Sequence, residues 1–238
     1  MRAMERIGRP VSRADLTDVT ISSGQFFTDE VSVRLGGYIT RLALRLGVHP
    51  SVLTLLGLAT AVISGFALAL ADRGWGVQVV AVAGFQLAYL FDCADGQVAR
   101  LSGTTSRAGA ELDVLVDTAA QWTLVAATVV VAARQPSIEP VVIGLFAASW
   151  TLSIITTLMA RLRVDTWESA SLRATSLPVL LSRQVRDYPL SVLVLTSVAC
   201  WSPARALGWL LGAFALLNVG IVSLHIASRA RGSLGRVG

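Results

Sequence analysis

The chain has 238 residues, 54% of them hydrophobic and 15% charged, and its mean hydropathy is +0.65, a balance that excludes an ordinary soluble globular domain and fits a chain built into a bilayer. All 20 basic residues are arginine, so the net charge of +5 rests on cations that no ordinary pH deprotonates. These arginines sit between apolar stretches rather than along one polar surface, which argues against nucleic acid and for anionic lipid headgroups as partners. Cys93 and Cys200 show no ligand-like spacing, so neither a disulfide framework nor a zinc site is suggested.

Residues 1–24 carry Arg2, Arg6, Arg9 and Arg13 without an apolar run, the pattern of a polar tail rather than a cleaved secretory signal. Residues 25–47 repeat Val31, Leu35, Tyr38, Ile39, Leu42, Leu44 and Leu46 at helical spacing, with Arg34, Arg41 and Arg45 interleaved. That spacing predicts an amphipathic helix lying in the membrane interface. Six apolar stretches follow, each approaching the roughly 20 residues that cross a bilayer. They run about 51–71, 75–99, 109–133, 138–160, 188–203 and 206–228 by the same criterion, the fifth being short and bounded by Pro189 and Pro203. The expected architecture is an all-α integral membrane protein: a tail over 1–24, then one membrane domain over 25–238, with an N-terminal interfacial amphipathic helix and six transmembrane helices.

Seven arginines precede the first span, two separate the second from the third, five lie between the fourth and fifth, and three follow the sixth. The other side receives Arg73, Arg134 and Arg205. This asymmetry predicts a multi-pass protein of the cytoplasmic membrane with both termini and the 100–108 and 161–187 loops in the cytoplasm.

Asp92 and Asp95 fall at the cytoplasmic end of the second span, Asp113 and Asp117 at that of the third. A carboxylate at membrane depth is costly and marks a functional site by default. At 100° per residue, spacings of three and four place each pair on one helical face. The link Leu101-Ser-Gly-Thr-Thr-Ser-Arg-Ala108 is short enough to make the two helices antiparallel neighbours. All four carboxylates then converge, stable as anions only around cations, and hard oxygen ligands select Mg²⁺, Mn²⁺ or Ca²⁺ over zinc. Gly96, Ala99 and Gly109 leave the neighbouring backbone open to close approach, and Arg100 stands one turn beyond Gly96, where a guanidinium grips phosphate by two parallel hydrogen bonds. Together these describe a pyrophosphate site.

The string Asp92-x2-Asp95-Gly96-x2-Ala99-Arg100-x8-Gly109-x3-Asp113-x3-Asp117 resembles, position for position, the signature of the CDP-alcohol phosphotransferases. The resemblance implies that Asp92, Asp95 and Asp113 bind Mg²⁺ or Mn²⁺ and that Asp117 is both metal-associated and the general base. It implies CDP contacts from Gly96, Ala99, Arg100, Gly109 and the loop hydroxyl Ser106. It adds Ser51 and Thr54 of the stretch Pro50-Ser-Val-Leu-Thr54, in which Ser51 departs from the family's usual Asn or Asp. It further implies a homodimer and an attack by an acceptor hydroxyl on the β-phosphorus of a CDP-alcohol, expelling CMP.

Glu111 lies on a different helical face from Asp113 and Asp117, which favours a solvent-facing or Arg-paired role. The 161–187 loop would be basic on topological grounds alone, but Arg183 and Arg186 lead directly into the fifth span, near where the resemblance implies basic residues for phosphorylated acceptors, and either is a candidate to bind the acceptor phosphate. The tryptophans Trp75, Trp150, Trp201 and Trp209 are expected near span ends or facing lipid. The expected activity is therefore a membrane phosphotransferase of phospholipid synthesis. It would move a phosphatidyl group from CDP-diacylglycerol to a small polar alcohol such as inositol phosphate or glycerol phosphate. The motif leaves open transfer from a soluble CDP-alcohol to diacylglycerol, and the acids alone leave open a divalent-cation transporter.

Overall fold

A computed structural model of the chain describes residues 25–161 and 187–234, with Leu16 and Val19. The polar tail expected over 1–24 lies almost wholly outside the described residues, as do Arg183 and Arg186. Every regular element among the described residues is helical. A π-helical turn, Thr28–Ser32, leads into α1, Val33–Leu46. There follow α2, Pro50–Ala69; α3, Trp75–Ser102; α4, Arg107–Ala133; α5, Pro140–Arg161; α6, Tyr188–Trp201; and α7, Ala204–Leu234.

Five of these, α2 to α5 and α7, are long and apolar enough to cross a membrane, and α6 is a shorter apolar helix. This is an integral membrane protein of the expected all-α class. The predicted spans coincide with α2 to α7, differing at their ends. α3 continues to Ser102 rather than stopping near 99, because Gly103, at φ 68°, supplies the left-handed residue that ends it. α6 begins with a proline in its first turn, where no intrahelical N–H is lost, and ends before Pro203, which cannot continue it.

α3 is the hub. Hydrocarbon offers helices little hydrophobic reason to associate, so small residues and hydrogen bonds do the joining. Three glutamines of α3 serve in this way. Gln78 Nε2 donates to the carbonyls of Ala71 and Cys200 at 3.0 and 3.1 Å, and its Oε1 accepts from Trp201 Nε1 at 2.6 Å. Gln86 Nε2 donates to Pro189 O at 3.1 Å. Gln97, buried, accepts from Thr40 Oγ1 at 2.7 Å and so bonds α3 to α1. α1 sits close enough for this because a Cβ at Gly36 would come within 3.0 Å of Cys93 Cβ.

On the opposite side of the bundle α4, α5 and α7 share one apolar core with α2, α3 and α6. Trp150 belongs to that core. Expected at a span end or facing lipid, it is 7% exposed, stacked edge-on to Phe146 at 5.5 Å and tilted against Phe214 of α7 at 5.5 Å. Spacing of four along α5 puts Phe146 and Trp150 on one stripe, and the α7 aromatic completes the cluster. Trp75, Trp201 and Trp209 are exposed, as expected.

A Cβ at Gly65 on α2 would overlap the Thr123 methyl of α4, whereas one at Gly144 on α5 would meet nothing within 4 Å. Gly65→Val is therefore expected to destabilise the protein by about 1–3 kcal/mol, and Gly144→Ala to leave it level or slightly more stable. Thermal unfolding midpoints in detergent check both; equal midpoints for the two variants would contradict this packing.

Candidate active site at the α3–α4 pair

α3 and α4 are joined by the short turn after Gly103, and Ser106 opens α4 by accepting the Gly109 N–H on its hydroxyl at 3.0 Å. Contrary to the expectation from the sequence, the short link does not lay α3 and α4 against each other as antiparallel neighbours: their backbones stay apart, and α2 packs against both and holds them to one another. The consequence is that Asp92 and Asp95 of α3 and Asp113 of α4 each offer a carboxylate oxygen within 4.8 Å of the others. Among the described residues, no ion pair involves any of the three. Asp117 stands one turn beyond Asp113 and lines, with Asp92, Asp95, Tyr89, Tyr188 and Thr54, a cavity of about 30 Å³, room for a water molecule or two.

Like charges this close repel, and in a low-dielectric setting the repulsion is strong. A donor set of three carboxylates without nitrogen or sulfur suits a hard divalent cation such as Mg²⁺ or Mn²⁺, so the residues present fit such an ion.

The structure gives several expected contacts a second employment. Thr54 brings its hydroxyl from α2 to Asp95 Oδ2, 2.5 Å away. A hydroxyl has one proton, and the Pro50 carbonyl, at 3.2 Å, is the longer alternative, so Thr54 orients the carboxylate. Ser51 lies at the start of α2, its N–H bonded to His49 Nδ1 at 3.2 Å. Ser106 is exposed and serves as the cap just described. Glu111 pairs with Arg107 at 2.9 Å, away from the cluster.

Gly96 and Arg100 form one unit. The Arg100 guanidinium folds back so that a Cβ at Gly96 would stand 3.1 Å from both terminal nitrogens. Its Nε donates to the Val19 carbonyl at 2.6 Å. A side chain at 96 would push the guanidinium off this face. Ala99 is half-buried beside it.

Sequence reasoning passed over Asp187. It is fully buried and accepts the N–H groups of Phe27 and Thr28 on Oδ2 at 2.7 and 3.1 Å, and the Thr28 hydroxyl on Oδ1 at 2.7 Å. The one available signal was an acid immediately before an apolar stretch, which says nothing of a partner 160 positions away.

Helices that cross a membrane, with an acidic centre shared by two of them, define an integral membrane protein organised around a polar site. The CDP-alcohol phosphatidyltransferase family model matches residues 47–221, and the chain belongs to that family of transferases. It is similar to the phosphatidylinositol phosphate synthase of Mycolicibacterium smegmatis, 37% identical over 98 residues, a stretch that covers 41% of this chain and 42% of that protein.

Thr54→Val removes the hydroxyl while keeping the volume, and should raise the Mn²⁺ concentration needed for half-maximal thermal stabilisation by about tenfold or more. Thr54→Ser should behave as the wild type. Superimposable titrations for Val and wild type would remove Thr54 from the site.

Proposed function

We propose that this protein is a phosphatidyltransferase of phospholipid synthesis that uses CDP-diacylglycerol and releases CMP. The observation that carries the reading is the carboxylate cluster of α3 and α4, which falls within the segment matched by the family model. The name of the mycobacterial relative, a phosphatidylinositol phosphate synthase, favours inositol phosphate as acceptor, with glycerol phosphate the nearest rival in chemistry.

Asp92, Asp95 and Asp113 would hold Mg²⁺ or Mn²⁺, which when bound supplies positive charge to the diphosphate and the leaving CMP. The cleared backbone at Gly96, Ala99 and Gly109 admits the nucleotide end of the donor. Arg100 takes phosphate oxygens there, with Ser51, Thr54 and Ser106 at the margins. Asp117 accepts the proton of the acceptor hydroxyl as its oxygen bonds to the β-phosphorus and the bond to CMP breaks. Its place in the cavity beside Asp92 supports that role. Arg183 and Arg186 would receive the acceptor's phosphate.

The arginine distribution supports a cytoplasmic-membrane protein whose site and termini face the cytoplasm, with α1 resting in the interface. A homodimer is the assembly we assign to it.

Purified protein with Mn²⁺ or Mg²⁺, CDP-diacylglycerol and a panel of alcohols should release CMP, most rapidly with a phosphorylated polyol. No metal-dependent CMP from this donor or from a soluble CDP-alcohol would end the enzyme reading. Release only from a soluble CDP-alcohol with diacylglycerol would reassign the donor. Asp117→Asn should bind donor and lose turnover; wild-type rates in that variant would retire Asp117 as the base. Arg186→Ala should raise the acceptor KM and leave the donor KM in place, and an unchanged acceptor KM would remove the reason for a phosphorylated acceptor.

A further inference from the structure

The buried Asp187 connects, through one side chain, to the wall of the carboxylate cavity. Its Oδ1 accepts the Thr28 hydroxyl at 2.7 Å, and Thr28 Oγ1 lies 3.3 Å from the Tyr89 hydroxyl. Tyr89 lines the cavity with Asp92 and Asp117, and its ring packs against Tyr188 at 5.6 Å. Proton counting sets the direction of this chain. A carboxylate donates nothing, so the single Thr28 proton goes to Asp187. Thr28 then has lone pairs alone to offer Tyr89, and the Tyr89 O–H must donate to it. The phenol oxygen is left able only to accept from whatever else approaches it.

We infer that Asp187 is a positioning residue which, through Thr28, directs the Tyr89 hydroxyl proton away from the cavity and presents its oxygen as an acceptor for a hydroxyl of the alcohol substrate. Tyr89 stands one helical turn before Asp92 and two turns before Gly96, farther along α3 from the end that carries Gly96 and Arg100, where the nucleotide is assigned. With the base Asp117 in the same cavity, the group that meets Tyr89 is the acceptor alcohol rather than the nucleotide. The relay thus selects acceptors that carry a second hydroxyl to donate, a polyol rather than a monohydric alcohol. This deepens the function proposed above and rests on it.

The amide variant isolates the direction of the chain from its shape. In Asp187→Asn the two backbone N–H groups of Phe27 and Thr28 require the amide oxygen at the Oδ2 position. The NH₂ group must then face Thr28, whose proton turns to Tyr89, and the Tyr89 proton turns into the cavity. Geometry survives while polarity reverses. A loss of folded fraction lowers apparent kcat and leaves both KM values unmoved, so acceptor KM separates positioning from stability.

CMP release is measured with CDP-diacylglycerol and whichever of inositol phosphate and glycerol phosphate supports wild-type turnover. Asp187→Asn should keep the wild-type thermal midpoint and donor KM while raising acceptor KM about tenfold, on the scale of one misdirected hydrogen bond. Tyr89→Phe should raise it similarly, and Asp187→Asn should add nothing in the Tyr89→Phe background. An unchanged acceptor KM in Asp187→Asn, or full additivity with Tyr89→Phe, overturns the relay while the enzyme reading stands. Absence of CMP from the wild type would instead overturn the proposed function. The chain of contacts is then decided by thermal stability, where the losses from Asp187→Ala and Thr28→Val must be non-additive; additive losses overturn it.

Discussion

Two helices that cross a bilayer bring three carboxylates to within 4.8 Å of one another, and the mutual repulsion of those groups is the constraint around which the rest of the molecule is arranged. In water, screening would make such a cluster cheap. Between helices in a hydrocarbon phase it is expensive, and it survives because every neighbouring feature restrains the acids from splaying. α2 packs against both α3 and α4, and its Thr54 reaches across to hold Asp95 in place. The three acids fit a hard divalent cation, whose charge would offset their repulsion.

The same physical setting explains why the bundle is joined by polar groups. Lipid chains are as apolar as leucine, so α3 is fastened to α1, α6 and the turn that follows α2 through Gln97, Gln86 and Gln78. Each glutamine satisfies backbone or side-chain groups that would otherwise be stranded away from water. Small residues do the remaining work by letting backbones approach, as at Gly36 against Cys93 and Gly65 against Thr123. Two of the three acids, Asp92 and Asp95, are thus carried on the helix that these glutamines tie to its neighbours.

What the sequence made legible was whatever is written at short range. Apolar runs of sufficient length located the helices, and spacings of three and four showed that Asp92, Asp95, Asp113 and Asp117 lie in pairs on single faces. The eight-residue string across 92–117 pointed to the family that the profile match over 47–221 establishes. Contacts between distant segments were out of reach. Asp187 meets Phe27 and Thr28 across 160 and 159 positions, and no periodicity announces such a pairing. Thr54 was singled out as a nucleotide contact, and its bond to Asp95 across 41 positions was not legible, because a threonine at a helix start looks the same whichever partner it faces. Trp150 was misplaced for a related reason: rules about interfacial aromatics describe lipid-facing positions, and nothing local distinguishes a tryptophan that turns inward toward Phe214.

The shortness of α6 has its own consequence for how two immiscible reactants meet. Its 14 residues rise about 21 Å, against a hydrocarbon slab of about 30 Å, and local thinning of the bilayer is one way membranes accommodate such a deficit. α6 begins at Tyr188, on the wall of the acidic cavity. A bilayer thinned beside α6 would bring water nearer to Asp117, while the longer helices would keep fatty chains close to the same point. Under the function proposed above, a water-borne alcohol and an oil-borne donor would then reach the same acids without either leaving its own solvent.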